Sequence, residues 1–192
     1  MPARNDAALA FLKARRSRPA KLFTHPVPDR DQLSEILTAA TRVPDHGKLE
    51  PWRLIVLQGA AFARIADLAE ARALELGGDA EMAAKGRGQY DMAKLAVVVI
   101  ASPKPSPKVP AVEQAMSAAA LCLGIVNVAE AAGWGASWLT GWPSHDGLFA
   151  ARAFGCEGGE TVAGIVHIGT PPPDGPDRPR PDLGRIVTWV DA

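Results

Sequence analysis

Two groups of arginine residues have the chemistry to bind an anion. Arg15, Arg16 and Ser17 follow a predicted N-terminal helix, and Arg178 and Arg180 flank a proline near the C terminus. A guanidinium group binds phosphate oxygens through two parallel hydrogen bonds, and a hydroxyl adds a further donor. The sequence alone leaves open whether the two groups meet or whether each is a solvated basic turn.

The segment Arg42-Val-Pro-Asp-His-Gly-Lys-Leu-Glu-Pro-Trp52 is a second candidate for function, because it joins a predicted helix to a predicted strand. Prolines and a glycine bend it, and Pro51 prevents a helix from continuing into Trp52. Unusual side chains on a connection between rigid elements often bind ligands. The alternative is a simple turn whose tryptophan fills the core.

The sequence lacks the signatures of several enzyme classes. No Gly-x-x-x-x-Gly-Lys-Ser/Thr run occurs, which disfavours a P-loop protein. The pair Gly133-Trp-Gly135 follows a predicted helix and lacks the third glycine of a dinucleotide-binding turn. The four histidines, His25, His46, His145 and His167, show no metal-ligand spacing. We therefore expect no metal site, and we interpret His167 as a core residue.

Composition limits the partners and the compartment. The 21 basic and 21 acidic side chains give no net charge, so no overall field favours nucleic acid or an anionic membrane. The first residues contain no apolar signal segment, and the apolar run 115–132 includes Asn127 and Glu130, as in a buried helix of a soluble protein. Cys122 and Cys156 make no disulfide framework. These features predict a reduced, cytoplasmic protein that binds neither nucleic acid nor membrane.

The order of the predicted elements indicates an α+β protein with a small sheet wrapped by helices. Helical periodicity covers residues 6–16, 31–41, 60–76, 112–132 and 146–154. Strand character covers residues 53–58, 95–102, 133–139 and 161–169. Residues 79–94 mix charged residues with glycine and are predicted to form an irregular, partly mobile connection.

The C-terminal segment 170–192 is predicted to leave the core of what we expect to be one domain, residues 1–192. Its proline-rich first part, 170–181, can form neither a helix nor an inner strand and should be a stiff, extended arm. The run Arg185–Val190 then has strand character. A strand at the end of such an arm is expected to pair with another subunit.

Five motifs in the same order resemble the nitroreductase family of flavoproteins, and most closely its compact NAD(P)H nitroreductases. They are Arg15-Arg16-Ser17, then Arg42-Val-Pro-Asp-His46 with Pro51-Trp52, Glu113-Gln-Ala-Met-Ser117 leading to Gly133-Trp-Gly-Ala-Ser-Trp138, Gly169-Thr-Pro171, and Arg178-Pro-Arg180. The resemblance implies a nitroreductase-like fold with a small mixed sheet. It also implies a homodimer with FMN at the subunit interface and NADH or NADPH as co-substrate.

The resemblance also assigns roles to residues by position. The FMN phosphate would be held by Arg15, Arg16, Ser17, Arg178 and Arg180. Flavin contacts would come from Arg42 and His46 of the second subunit and from Trp138, Leu139 and Thr140 along the ring. The nicotinamide nucleotide would be bordered by Val128, Ala129, Glu130, Ala131, Ala132 and Gly133.

The implied activity is ping-pong transfer of hydride from NAD(P)H to an acceptor such as a nitroaromatic or a quinone. One position departs from the family pattern: Pro19 stands where many relatives carry a basic residue near the flavin pyrimidine. Arg42 or Lys21 would have to supply that charge. A flavin carrier with little turnover, or an FMN-dependent dehydrogenase of a biosynthetic intermediate, is the alternative.

Overall fold

A four-stranded sheet forms the centre of the computed structural model, which describes residues 3–173, 175 and 177–191. Its strands are β1 (Trp52–Gln58), β2 (Leu95–Ala101), β3 (Gly135–Leu139) and β4 (Thr161–Gly169). They lie in the order β1-β2-β4-β3, and each neighbouring pair is antiparallel. The sheet confirms the predicted α+β class, and each of the four predicted core strands is present.

Helices cover both faces of this sheet. Among the described residues they are α1 (Asp6–Ala14), α2 (Arg30–Ala40), α3 (Ala61–Glu75), α4 (Ala80–Asp91), α5 (Ala111–Ala131), α6 (Trp142–His145), α7 (Gly147–Phe154) and α8 (Leu183–Ile186). Helices α2 and α5 pack on one face, and α3, α4 and α7 pack on the other. Because both faces are covered, β2 is buried along its whole length.

Helix α5 is the principal helix of the first face. It is long and apolar enough to cross a membrane by length and composition, but Leu121, Cys122 and Ile125 are buried in the core with the valines of β2. Gly124 lets α2 approach closely, since a Cβ there would lie 2.8 Å from the carbonyl oxygen of Ala40. Burial also raises the pKa of the Cys122 thiol to about 12, as expected for a cysteine in the core.

The sheet is antiparallel throughout, so the expectation of a mixed sheet was wrong. Continuous apolar runs such as Leu95–Ala101 are typical of parallel strands, because parallel sheets are usually covered on both faces. Here the same double coverage occurs on antiparallel strands. The apolar pattern reports burial on both faces and carries no information about strand direction.

Residues 79–94, predicted to be irregular, instead contain the helix α4. Asp79 caps it by accepting a hydrogen bond from the backbone N–H of Met82 at 2.8 Å. The glycine that argued against a helix, Gly86, has a packing role: a Cβ there would lie 2.6 Å from the indole ring of Trp142. This tertiary contact favours the helix although glycine disfavours it locally.

The first two residues of the predicted strand Arg185–Val190 are helical instead, whereas its predicted pairing with another subunit stays a prediction. Leu183–Ile186 forms the short helix α8, capped by Asp182, whose side chain accepts from the N–H of Gly184 at 2.9 Å. Residues 187–191 pair with no strand within the described chain. A strand needs a neighbouring strand for its backbone hydrogen bonds, and strand propensity alone does not provide one.

Candidate functional site

Arg15, Arg16 and Ser17 form a turn at the C-terminal end of α1. The helix begins after Asn5, whose side chain accepts a hydrogen bond from the N–H of Ala8 at 3.0 Å, and it ends at Arg15. Nη2 of Arg15 donates to Oγ of Ser17 at 3.2 Å, and Nη1 of Arg16 donates to the carbonyl of Ser17 at 3.1 Å. The contacts hold two guanidinium groups and a hydroxyl together, as an anion site requires.

The C-terminal arm returns to this turn. Where the arm leaves β4, the backbones of Thr24 and Thr170 exchange two hydrogen bonds of 3.0 Å. Farther along, Nη2 of Arg180 donates to the backbone carbonyl of Lys13 in the last turn of α1, while Arg178 is exposed. The two basic groups, which are far apart in the sequence, therefore meet at the end of α1 through Arg180.

Arg16 and the neighbouring Arg18 add further donors to this turn. Nε of Arg16 is buried and has no hydrogen-bond partner among the described residues. The guanidinium of Arg18 lies against Gly175 of the arm, where a Cβ would be 2.6 Å from Nη1. An unpaired buried donor is costly unless an acceptor reaches it, so the Arg16 Nε is suited to an anionic ligand.

Glu130, in the last turn of α5, contacts the same turn. Its Oε2 accepts a hydrogen bond from Nε of Arg15 at 3.1 Å, and its side chain is only 9% exposed. The second oxygen, Oε1, is buried and has no partner among residues 3–173, 175 and 177–191. Glu130 is thus joined to a residue predicted for the FMN phosphate, although its own predicted place was beside the nicotinamide nucleotide.

The rest of the segment 128–133 leads from α5 into β3. Ala129 is fully buried, whereas Ala131, Ala132 and Gly133 are exposed. Gly133 has φ of +88°, a left-handed conformation that glycine adopts at little cost. Residues 131–133 are therefore the part of this segment whose surface faces solvent.

Trp138, Leu139 and Thr140 lie at the end of β3, as predicted. The indole of Trp138 is 39% exposed, and its Nε1 donates to the carbonyl of Ala163 at 3.3 Å. The ring lies across Gly164 of β4 so closely that a Cβ at that position would overlap it. The hydrogen bond and the glycine hold the indole flat on the sheet and leave part of the ring exposed.

The 42–52 loop is tied to α5 at two points. Oγ of Ser117 donates to the carbonyl of Pro44 at 2.5 Å. Nδ1 of His46 lies 2.8 Å from Oε2 of Glu113. The carboxylate of Asp45 accepts from the backbone N–H of Glu50 at 2.8 Å, which closes the loop on itself. The loop is therefore an organised turn, and its tethers were not predicted from the sequence.

Arg42 is exposed and borders an open cleft of about 820 Å³ beside this loop. The other lining residues are Thr38, Thr41, Val43, Asp45, Lys48, Glu50 and Trp52. No hydrogen bond or ion pair joins Arg42 or His46 to the Arg15–Ser17 turn within the described part of the chain. The predicted site thus consists of two separate surfaces in one chain, the α1 end and the 42–52 loop.

Within residues 3–173, 175 and 177–191, no cluster of three or more His, Cys, Asp or Glu side chains could hold a metal ion. His167 is buried in β4, and burial lowers its pKa to about 4 because the imidazolium loses its hydration. It is neutral at pH 7, in agreement with its interpretation as a core residue.

The contact between Glu130 and Arg15 could have been anticipated from the sequence. A glutamate inside an alanine-rich helix that is otherwise predicted to be buried needs a cationic partner. Among the basic groups of the chain, the Arg15–Ser17 group at the end of α1 is already predicted to concentrate positive charge. The sequence carries no comparable signal for the contact of Glu113, because an exposed carboxylate is common in the first turn of a helix.

Comparison with known proteins agrees with the fold. The model of the nitroreductase family matches residues 12–170. The chain is 34% identical over 164 residues to the "Putative NAD(P)H nitroreductase YdjA" of Escherichia coli (strain K12), covering 85% of this chain and 88% of that protein. It is also 34% identical over 165 residues to a protein of Haemophilus influenzae with the name "Putative NAD(P)H nitroreductase", again covering 85% and 88%.

Solved structures share the architecture at lower identity. A nitroreductase-like family protein from Bacillus cereus superimposes with a TM-score of 0.81 at 22% identity and covers 100% of both chains. A variant of the FMN- and NADPH-dependent nitroreductase NfnB, from a sphigopyxis strain, gives a TM-score of 0.71 at 18% identity and covers 95% of this chain and 98% of its own. At these identities the likeness concerns the fold alone.

Proposed function

Because the chain belongs to the nitroreductase family, we propose that it is an FMN-dependent oxidoreductase that takes hydride from NADH or NADPH. The acceptors are small oxidised molecules such as nitroaromatics or quinones, reduced in ping-pong order. The curated relatives with 34% identity are named as NAD(P)H nitroreductases, which supports the donor and the reaction class.

The FMN phosphate binds at the end of α1. Arg15, Arg16 and Ser17 supply converging donors there, and Arg180 of the arm reaches the same turn. A phosphate dianion requires several positively charged or N–H and O–H donors, and guanidinium groups match its oxygens bidentately. The unpaired, buried Nε of Arg16 fits the same ligand. Arg178, exposed on the arm, adds charge to this surface.

The flavin ring lies along Trp138, Leu139 and Thr140. The partly exposed indole of Trp138, held flat on β4, offers an apolar wall for a planar ligand. Bound there, FMN supplies the redox chemistry, and the side chains of this protein bind and orient it and exclude water. The nicotinamide nucleotide approaches beside the segment 128–133, mainly along its exposed end.

The working molecule is a homodimer in which Arg42 and His46 of one subunit reach the flavin bound by the other. Two features support this arrangement: both residues are exposed, and they lie on a loop that is not connected to the Arg15–Ser17 turn within the chain. Arg42 then replaces the positive charge missing at Pro19. Lys21, exposed in the 3-10 turn Ala20–Leu22, is the second candidate for that role.

The meeting of Arg180 with the end of α1 is the observation that carries the proposal. It brings two basic groups, more than 160 residues apart in the sequence, to the same end of α1. The decisive experiment is release of the copurifying cofactor by denaturation, followed by its identification by mass spectrometry. NADH and NADPH oxidation is then measured with a nitroaromatic and with a quinone.

We expect FMN at about one molecule per subunit and turnover with at least one acceptor. A chain that binds no FMN even when FMN is supplied in excess contradicts the proposal. Anaerobic stopped-flow mixing with NADH or NADPH separates an enzyme from a flavin carrier. Rapid bleaching of the flavin absorbance is expected for the enzyme, and a flavin that stays oxidised would indicate the carrier.

A further inference from the structure

We propose that Glu130 is a positioning residue for the FMN phosphate site, acting through Arg15, and that its carboxylate does not bind the nicotinamide nucleotide. This inference rests on the proposed FMN function. It starts from the hydrogen bond of 3.1 Å that Nε of Arg15 donates to Oε2 of Glu130.

Within the part of the chain that the structure describes, Glu130 pairs with a single cation. Its side chain is 9% exposed, and Arg15 is its one ion-pair partner among the described residues. It also lies in the last turn of α5, where the helix dipole disfavours a negative charge. A buried carboxylate in such a place is costly unless a cation pairs with it, and the contact with Arg15 offsets that cost.

The same contact determines which edge of Arg15 is free. The guanidinium is planar, and its Nε is directed to Glu130 while Nη2 donates to Oγ of Ser17 at 3.2 Å. Nη1 and one proton of Nη2 take no part in these two contacts, and they are the donors that Arg15 keeps for a phosphate. Without Glu130 the long arginine side chain would regain rotamer freedom, and this freedom would be lost again on binding.

The burial of Glu130 argues against its direct contact with a nucleotide. Its carboxylate is enclosed between α5 and the end of α1, whereas the exposed residues of the segment are 131–133. A nicotinamide nucleotide can border that exposed end without touching the carboxylate. The resemblance to the family assigned the whole segment 128–133 to the nicotinamide nucleotide. The contact with Arg15 instead assigns Glu130 to the phosphate site and leaves the other residues of the segment with the nucleotide.

Orientation and charge make opposite predictions for substitution of Glu130. If the carboxylate mainly repels the phosphate, its removal should strengthen FMN binding. If it mainly orients Arg15, Glu130→Ala should weaken FMN binding by about tenfold, the size expected for a charge-assisted hydrogen bond. Glu130→Gln keeps an acceptor oxygen for Nε and removes the charge. Its dissociation constant for FMN should therefore lie within about threefold of the wild-type value.

The test is titration of the flavin-free, full-length chain with FMN and with riboflavin, which lacks the phosphate. We expect Glu130→Ala to weaken FMN binding and to leave riboflavin binding within about twofold of wild type, because Arg15 acts on the phosphate alone. The double variant Arg15→Ala/Glu130→Ala should bind FMN no more weakly than Arg15→Ala, since Glu130 acts through Arg15.

Three results would overturn the inference. One is tighter FMN binding by Glu130→Ala, which would mean that repulsion dominates. Another is an equal loss for FMN and riboflavin, which would indicate a general structural defect. The third is unchanged FMN affinity with a raised KM for NAD(P)H, which would return Glu130 to the nucleotide site. A wild-type chain that binds neither flavin would instead refute the proposed function, so the two failures are distinguishable.

Discussion

Nδ1 of His46 lies 2.8 Å from Oε2 of Glu113, and this contact ties the 42–52 loop to the first turn of α5. Together with the bond from Ser117 to Pro44, it fixes the loop that carries Arg42. A carboxylate that holds one imidazole nitrogen also sets the direction of the other nitrogen. Glu113 therefore fixes the direction of the second imidazole nitrogen of His46, which a ligand at the loop would contact.

Glu113→Ala should weaken FMN binding by about fivefold, the size of one ordinary hydrogen bond, and His46→Ala should weaken it at least as much. Both side chains are about half exposed, so the free energy of unfolding should change by less than about 1 kcal/mol. Flavin titration and urea unfolding measure the two effects.

The control for this pair is Glu81→Ala on α4, which removes an exposed carboxylate that lies 2.7 Å from Lys85. This variant should bind FMN like the wild type. If Glu113→Ala also binds FMN like the wild type, His46 is not oriented by Glu113 for flavin contact.

Arg15→Ala should weaken FMN binding by about 1.5–3 kcal/mol, or roughly 10- to 150-fold, because it removes one charged partner of the phosphate. Riboflavin binding should change little, since riboflavin has no phosphate. Arg64→Ala, which removes an exposed arginine of α3, is the matched control for loss of one positive charge. Equal losses in the two arginine variants would show that overall charge, rather than the α1 turn, attracts the flavin.

The elements that depend on local pattern were predictable from the sequence. Sequence patterns correctly located the apolar stripe of α2, the alanine-rich run of α5 and the apolar runs of β2 and β4. The sequence predicted that the Arg15–Ser17 turn follows a helix because Pro19 stops the helix. These features involve neighbours along the chain, and their signals are therefore visible in a single sequence.

The features that failed depend on contacts between distant segments. Strand direction is determined by the path of the chain. The apolar run Leu95–Ala101 would look the same in a parallel and in an antiparallel strand, and here it is antiparallel. Helix α4 includes Gly86, on which Trp142 packs, and this contact across 56 residues is invisible to glycine propensity. The meeting of Arg180 with Lys13 is long-range in the same sense, and the buried charge of Glu130 signals a cationic partner without identifying it as Arg15.

His167 should make the protein lose stability in mild acid. Its pKa in the folded chain is lowered to about 4 because burial disfavours the imidazolium, whereas the unfolded chain has the ordinary value of about 6.5. The unfolded state therefore takes up the proton first. Stability is unaffected above about pH 6.5 and falls as the pH drops toward 4, by up to roughly 1.4 kcal/mol per pH unit.

Urea unfolding between pH 7 and pH 4.5 measures this loss. His167→Gln and His167→Leu cannot titrate, so both should lose this part of the pH dependence, although they will differ in stability at pH 7. A wild-type slope in both variants would mean that other groups cause the acid sensitivity.

Deletion of residues 183–192 should convert a dimer into a monomer. In the single chain, Leu183, Ile186, Trp189 and Val190 are 64–84% exposed, an unusual cost for large apolar side chains unless a second chain covers them. The segment that carries them follows a proline-rich stretch between residues 170 and 181, a composition that favours an extended arm. Light scattering coupled to size-exclusion chromatography measures the mass in solution, and flavin titration measures the accompanying loss of FMN affinity.

Two further variants separate the apolar end from the basic arm. The double variant Arg178→Ala/Arg180→Ala keeps the apolar residues, so it should remain a dimer and bind FMN more weakly. Deletion from Asp177 onward removes both features and should weaken both the dimer and FMN binding. If this shortest chain remains a stable yellow dimer, the arm holds neither the partner nor the cofactor.

If the deletion of 183–192 alone leaves the dimer intact, the subunits associate through another surface. The exposed side of α5, with Val112, Met116 and Leu123, is then the next surface to test.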